Sequence, residues 1–394
     1  MRQFEAGLPR LNRLARYYEG RHDVLLRTRL PGLPNNRLVH AFPRYIAQVS
    51  AAYLMGGPVR VEGPEGTERL RALLRRGAAG DADATLAVHQ SVYGRAVSLC
   101  YEDAQGAPMV CALDPRTAFV ACADTVDHRP LFGVYLRNGP AGREITVYTD
   151  AAAITWGPKG ETRSSPHPFR CVPMAEYLSG GDGHGDFEDV LALVDAYDVL
   201  ECDRVNDRQQ FSDALLVLTG VMGVTAREGD PMGAMERLRQ EKTLALPDSD
   251  AKAEWLVKNP SERDIEVLRA ALAEDIHKFS LTPDFSDERF AGNASGIAIK
   301  YKLFNFDNRI KLKERHFAAG LRERARALCG WMRTREGIEL DADALTFRLT
   351  RTLPVNEGER ARTIAALAGV VPAETLRYHS PLQENPDLER TTDG

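Results

Sequence analysis

DFEDVLALVDAYDVLECDRVNDRQQFSDALLVL, residues 186 to 218, is the stretch on which the fold turns. Its apolar residues Phe187, Val190, Leu191, Val194, Tyr197, Val205, Phe211 and Leu215 recur at three- and four-residue steps, the period of an amphipathic helix. At 1.5 Å per residue a helix of this length is a rod of roughly 45 Å, longer than a small domain needs. Between the apolar positions runs a polar stripe of Asp195, Asp198, Asp203, Asp207 and Asp213. Such a stripe is either a solvated helix face or the flank of a rod that packs beside copies of itself.

Downstream, residues 220 to 258 form a mixed insert. It has a short helix near Met235 to Gln240, and Thr243–Leu246 and Ala253–Val257 are the candidate strands of a hairpin. Pro260 and Ser261 then open a second helix, SERDIEVLRAALAEDIHKFS, with an acid three residues after the serine as in a capping box. The order is therefore long helix, small α/β insert, shorter helix. Leu281-Thr-Pro283 breaks the second helix, and SDERFAGNASG follows, with Gly292, Asn293 and Gly296 as turn formers. A helix from near Ser295 carries Lys300 and Lys302. A basic helix comes next, with Arg309, Lys311, Lys313, Arg315, Arg322, Arg324 and Arg326, whose arginine-rich face is expected to pair with acids of a neighbouring subunit. Phe347 to Leu353 reads as a strand, Glu357 to Leu367 as a helix, and VPAETLRYHSPL as a short capped helix before a fraying tail.

Upstream, residues 1 to about 60 read as helical around Leu11, Leu14 and Tyr17. A turn and N-cap region follows at Pro31-Gly-Leu-Pro-Asn-Asn36, and then a helix from Leu38 to Leu54, ended by Gly56, Gly57 and Pro58. A short helix spans Glu65 to Arg76. From Ala84 to Asp150 the pattern turns β-like, with short alternating runs at 97–101, 109–113, 118–122, 131–135 and 144–148, continued at 153–156, suggesting one antiparallel sheet.

The composition is that of a globular chain with ample core material: 394 residues, 43% hydrophobic and 27% charged. No run of eighteen apolar residues occurs, so no membrane partner is expected, and the N-terminus lacks the apolar segment of a secretory signal. The six cysteines, at 100, 111, 122, 171, 202 and 329, form no CxxC pair and read as reduced thiols, with no metal site. A net charge of −5 is not the footprint of a protein that grips nucleic acid tightly, though it does not exclude contact with DNA.

Catalytic signatures fail individually. There is no Gly-Lys dipeptide and hence no Walker A loop, no His-Glu pair for HExxH, and Ser295 sits in GNASG and not in a nucleophile elbow. GGDGHG, near Gly180, has the glycines of a phosphate loop but no clear strand before it and no ribose-binding acid behind it, and reads as a hinge. Neither catalytic residues nor a cofactor are expected. Asp81 and Asp83 are too ordinary a pair to imply a metal.

Five collinear pieces carry a resemblance. They are YYEGRH at Tyr17–His22; NNRLVHAFPRYI at Asn35–Ile46 with YLMGGPV at Tyr53–Val59; DFEDVLALVDAYDVLECDRVND at Asp186–Asp207; FSDALLVLTG behind it; and LTPDFSDERFAGNASGIAIKYKL at Leu281–Leu303. Together they resemble the portal proteins, or head-to-tail connectors, of long-tailed bacteriophages from about Arg16 to about Leu382. The resemblance implies an α+β portal fold with a mixed α/β wing, long stem helices, a small α/β clip and a short helical crown, since only about forty residues follow Pro354. The implied divisions are a wing at 1–185, stem helix one at 186–219, the clip at 220–259, stem helix two at 260–281, wing with basic helices at 282–355 and a short crown and tail at 356–394. Within the second wing segment, 283–296 matches the tunnel loop.

It further implies a ring of about twelve subunits at one capsid vertex of the virion, assembled in the host bacterial cytoplasm. Double-stranded DNA would pass through it without sequence recognition. The other expected partners are the terminase large subunit, a head-completion adaptor, and the major capsid and scaffolding proteins. Residues expected at the channel are Asp287, Glu288, Arg289, Phe290, Asn293, Ser295, Lys300 and Lys302. Asp198, Asp203, Asp207 and Asp213 are expected as stem acids facing the lumen, and Arg227, Glu236, Arg237, Arg239 and Trp255 as the clip docking surface. Two other classes stay open: a non-phage helical adaptor that assembles through its long helix, and a nucleic-acid-processing enzyme subunit, for which no carboxylate cluster or P-loop stands out.

Overall fold

A computed structural model describes residues 1–209 apart from 32 and 141, the backbone of 210–211, 215–219 and 252–256, and residues 262–286, 301–351 and 365–367. The chain divides into two compact units. One comprises Met1–Glu19, Ala41–Leu191 and His277–Gly394, and the other Gly20–His40 and Ala192–Ile276. Four helices begin the larger unit: α1 (Arg2–Tyr18), α2 (Phe42–Leu54), α3 (Thr67–Arg76) and α4 (Ala79–Tyr93). A short strand, β1 (Arg60–Glu62), lies between α2 and α3 and pairs with β12 (Thr346–Arg348).

Two antiparallel sheets follow, where the sequence suggested one. The first has the order β3–β2–β9, from β2 (Arg95–Glu102), β3 (Pro108–Leu113) and β9 (Met174–Leu178). The second is a meander of β4 (Ala118–Cys122), β5 (Pro130–Gly139), β6 (Gly142–Tyr148), β7 (Ala152–Trp156) and β8 (Thr162–Pro166). The alternation in β5 and β6 puts Val134 beside Val147 and Leu136 beside Ile145, on the face where Phe4 and Leu8 of α1 pack. Phe4 stacks on Phe119 with ring centroids 4.7 Å apart.

Two departures from the sequence reading fall here. Residues 84–93, read as the start of the β region, belong to α4, which ends at Gly94 with φ +77°. Its apolar and small residues lie all round the helix, so it shows no 3.6-residue stripe to distinguish it from a buried strand. Strand β9 directly precedes the glycine run at 180–185, which corrects the expectation of no clear strand before it. That run is no open cradle, however. Arg10 donates to the Gly183 carbonyl at 2.8 Å and pairs with Glu188 at 2.5 Å, and the Asp186 amide donates to the Ser91 carbonyl at 2.7 Å.

One long helix organises the core of this unit. α7 (Phe304–Arg335) carries the basic residues of the sequence reading, and its stripe Phe306, Ile310, Phe317, Leu321, Leu328 and Met332 is buried. The first part packs with Tyr53, Leu54, Leu86 and Tyr177, the last part with Leu70, Leu73 and Phe169. Each such side chain contributes roughly 1.5–3 kcal/mol by leaving water. Lys313 and Arg324 occupy the same stripe and are also buried, and their partners are inside the chain. Lys313 Nζ lies 2.6 Å from Asp186 Oδ2 and donates to Ser91 Oγ at 2.7 Å, while Arg324 Nη1 lies 2.5 Å from Asp83 Oδ1. For these two positions the expected pairing with a neighbouring subunit is corrected, because the spacing that marked them as basic also places them in the core.

The smaller unit is built on α5 (Leu191–Phe211), which a 3₁₀ turn at Glu188–Val190 precedes. The helix is shorter than its apolar pattern implied. Leu215–Thr219 forms strand β10, paired antiparallel with β11 (Lys252–Leu256), so the helix spans about 30 Å and not 45 Å. A run of four apolar residues satisfies either period, which is why LLVL read as helix. The hairpin partner expected for 253–257, residues 243–246, lies outside the described residues. α6 (Glu262–Phe279) returns beside α5.

Candidate functional site

Three features of the structure bear on function: a helix pair flanking an antiparallel strand pair, a strap along one of its helices, and the root of the segment that begins at Pro283.

The helix pair is held by a ladder of charged groups. Tyr197, Glu201, Arg204 and Arg208 stand on one face of α5 at steps of three and four. Arg204 lies 2.5 Å from Glu262 and 3.4 Å from Glu266 of α6, and Arg208 lies 3.4 Å from Glu262. Arg269 of α6 donates to Tyr197 Oη at 3.2 Å. Each of these half-exposed pairs is worth under about 1 kcal/mol, but together they fix the register of two antiparallel helices.

The strap is the stretch 20–40, which opens on a 3₁₀ turn at Asp23–Leu26 and is held along a different face of α5 by Asp198, Cys202, Asp203 and Asn206. His22 Nδ1 lies 2.6 Å from Asp198 Oδ2, and His40 Nδ1 and its amide lie 2.9 and 2.8 Å from Asp198 Oδ1. The carboxylate only accepts, so both rings present Nδ1–H to it. The Leu38 amide meets Cys202 Sγ at 3.1 Å, Arg27 and Arg29 both pair with Asp203, and the Asn36 amide donates to Asn206 Oδ1 at 2.7 Å. Asn35-Asn36 is therefore no helix cap. α2 begins later than expected, at Phe42 behind Ala41, and Asn36 serves the strap.

These contacts decide the fate of the acids expected to face a lumen. Asp198 is fully buried and committed to two histidines, so it is corrected from a lumen acid to the central fastening of the strap. Asp203 is half-buried beside two arginines, Asp207 is half-buried, and Asp213 lies outside the described residues. Burial alone would raise the Asp198 carboxyl, but the hydrogen bonds from both histidines and the His40 amide hold it below the usual aspartate range.

A folded-state value below the unfolded one, about 3.9, gives stability that is present above it and lost as the pH falls through the folded value. Hydrogen-exchange protection over residues 20–40, taken relative to the intrinsic rate at each pH, is accordingly expected to fall in the wild type as the pH drops below about 4. In Asp198→Asn the strap exchanges faster already at neutral pH and lacks the acid-dependent step. Unchanged exchange in that variant would mean that the strap is held elsewhere.

The third feature lies in the larger unit, where the chain leaves α6. The Tyr45 hydroxyl of α2 donates to the Pro283 carbonyl at 2.8 Å and accepts the Phe285 amide at 2.9 Å. Burial pushes this hydroxyl up, so it stays a neutral donor. His277 packs edge-on against Phe42 and Tyr45, its Nδ1 is 3.0 Å from the Thr282 carbonyl, and Nε2 is 3.9 Å from Asp284. Arg309 bonds the Ser280 carbonyl and pairs with Asp186 at 2.7 Å. Burial would raise the Asp186 carboxyl too, but Lys313 and Arg309 hold it ionised well below the usual range. The root of the segment is thus clamped from α2 and α7 together. No sequence motif announced Tyr45 or His277, because their partners are backbone groups some 240 residues away or on the next turn.

Of the expected channel residues, Asp287, Glu288, Arg289, Phe290, Asn293, Ser295 and Lys300 lie outside the described residues, and Lys302 is exposed just before α7. Arg227, Glu236, Arg237 and Arg239 also lie outside them. Trp255 is in β11, with its backbone opposite Leu216. Among the described residues no group of three or more His, Cys, Asp or Glu is placed to hold a metal ion, and no helix is long and apolar enough to cross a membrane.

An α+β chain in which two antiparallel helices flank an antiparallel strand pair, followed in the sequence by a clamped loop root, has the architecture of a head-to-tail connector subunit. The chain matches the family model of the SPP1 Gp6-like phage portal proteins over residues 2–391, and it belongs to that family. No curated protein matches it. Among solved structures it is similar to a chain of the neck of an empty gene transfer agent particle computed with C6 symmetry, at 14% identity and a TM-score of 0.52, over 86% of this chain and 89% of that one. It is also similar to a chain of the neck of a native particle computed with C12 symmetry, at 16% identity and a TM-score of 0.50, over 93% and 91%. At such identities the likeness is one of fold.

Proposed function

We propose that copies of this portal protein close into a ring of about twelve whose central hole passes double-stranded DNA during packaging, retention and ejection. The observation that carries the reading is the α5–hairpin–α6 unit. Its two helices, locked in register by Arg204, Arg269 and their carboxylates, are the stiff element from which a channel wall is made. The symmetry given for the similar neck chain supports the subunit number.

In this reading α5 and α6 are the two stem helices, residues 220–259 the clip on which terminase and the head-completion adaptor dock, and 283–296 the tunnel loop. The larger unit forms the wing, which meets capsid and scaffolding proteins at the portal vertex of a particle assembled in the host cytoplasm. The protein does no bond chemistry. The energy for DNA movement comes from a separate packaging ATPase. Contacts from Asp287, Glu288, Arg289, Phe290, Asn293, Ser295, Lys300 and Lys302 would read shape and charge and not sequence.

The test is a deletion within residues 287–295. Purified rings should form as in the wild type, with DNA packaging abolished. A deletion mutant that packages normally would remove this loop from the channel's constriction.

A further inference from the structure

We propose that Arg309 is a two-position clasp at the base of the segment that begins at Pro283: closed on the Ser280 carbonyl, as in this structure, or turned onto Asp186. The clasp is built wholly of residues in the larger unit. It rests on the loop reading above only for its consequence, which is to make Arg309 a positioning residue for the loop.

Two independent observations carry it. The first is a strained bend. The chain leaves α6 in a Schellman turn, in which the Leu281 amide donates to the Lys278 carbonyl at 3.2 Å and the Thr282 amide to the His277 carbonyl at 3.1 Å. That turn places one residue in the left-handed region, where glycine is usual, and here the residue is Leu281, with φ +52°. Its Cβ crowds the following carbonyl, and with the side chain 43% exposed little burial offsets the strain. The bend is held from outside by Arg309 on the Ser280 carbonyl, His277 Nδ1 on the Thr282 carbonyl and the Tyr45 hydroxyl on the Pro283 carbonyl.

The second is an acceptor left waiting. Lys313 Nζ occupies Asp186 Oδ2 at 2.6 Å. Arg309 Nη2 lies 2.7 Å from Oδ1, yet none of its N–H bonds points along that line, and among the described residues this buried oxygen receives no directed hydrogen bond. The guanidinium is set instead by Nη1 on the Ser280 carbonyl. Letting go of Ser280 frees Arg309 to turn an N–H onto Oδ1, a charge-assisted bond. Release thus exchanges one hydrogen bond for another and relieves Leu281, so the two positions differ little in free energy.

The test is hydrogen-exchange protection of the Thr282 amide in the full chain, taken relative to the intrinsic rate. Leu281→Gly removes the strain and should raise that protection about fivefold. Arg309→Gln removes the clasp and should lower it about tenfold, with packaged DNA falling by a similar factor at unchanged ring mass. Leu281→Pro cannot reach a positive φ and should hold the clasp open, so that a high-resolution structure of this variant shows the guanidinium on Asp186 and off Ser280. Should it fail to fold, Leu281→Val, whose branched Cβ resists the left-handed region, takes its place.

Wild-type protection in Arg309→Gln, or no gain in Leu281→Gly, would overturn the clasp. So would a guanidinium that turns into solvent in the open variant, because Asp186 would then not be its second position. Faster exchange in Arg309→Gln with wild-type packaging would overturn its positioning role. The exchange measurement needs neither DNA nor residues 287–295, so normal packaging by the loop deletion would sink the loop reading and leave the clasp standing.

Discussion

Arg324→Ala lowers the stability of the larger unit by about 3–5 kcal/mol, read as a fall of roughly 10 °C in its melting temperature. The guanidinium is buried in the stripe of α7 and donates two hydrogen bonds to Asp83, itself buried on α4. Removing the cation leaves a carboxylate in the core with neither water nor counter-charge, and that desolvation is the larger part of the loss. Replacing both partners by apolar residues, Asp83→Leu with Arg324→Met, should recover most of the stability, because the pair itself yields little beyond its own desolvation. A loss of less than about 1 kcal/mol in the single variant would show that water reaches Asp83.

Tyr45→Phe is expected to leave rings and melting temperature nearly unchanged while cutting packaged DNA about tenfold. One hydroxyl lost at a half-buried site costs about 0.5–1.5 kcal/mol. Here it is both the donor to the Pro283 carbonyl and the acceptor of the Phe285 amide, backbone groups at the start of the proposed tunnel loop. A loosening of about 1.4 kcal/mol at that root lowers the population of the working loop position tenfold. The measurement is nuclease-protected DNA per assembled particle. Packaging equal to the wild type would show that the root and the loop's work are uncoupled.

The helices at 42–54, 67–76, 262–279 and 304–335 were legible because each buries one face more than the other, which writes its period into the sequence, and β2, buried on both faces from Ala96 to Cys100, was legible as a short turn-bounded apolar run. What escaped lacked a stripe in its residue types or was tied by polar contacts to distant residues. α4 exposes Gly80, Asp81, Ala84 and Thr85, but small residues lie on both its buried and its exposed sides, and it looked like strand. The LLVL of β10 fits both periods, so the long helix was drawn too far. Asp198 looked like one more acid in a solvated stripe, because nothing in its neighbourhood names His22 and His40, more than 150 positions earlier. Lys313 and Arg324 marked a basic helix correctly but not its direction, since a charged residue at a core position differs from a surface one only by a partner that the sequence leaves far away. The collinear resemblance supplied the arrangement that no single motif carried, and the family match over residues 2–391 agrees with it.

Negative-stain electron microscopy of the purified full-length chain, with mass photometry on the same sample, tests the ring directly. The account predicts annular particles with a central hole wide enough for a DNA duplex and a mass of about twelve times 43.6 kDa. Particles that remain single 43.6 kDa chains across a range of salt concentrations would contradict it.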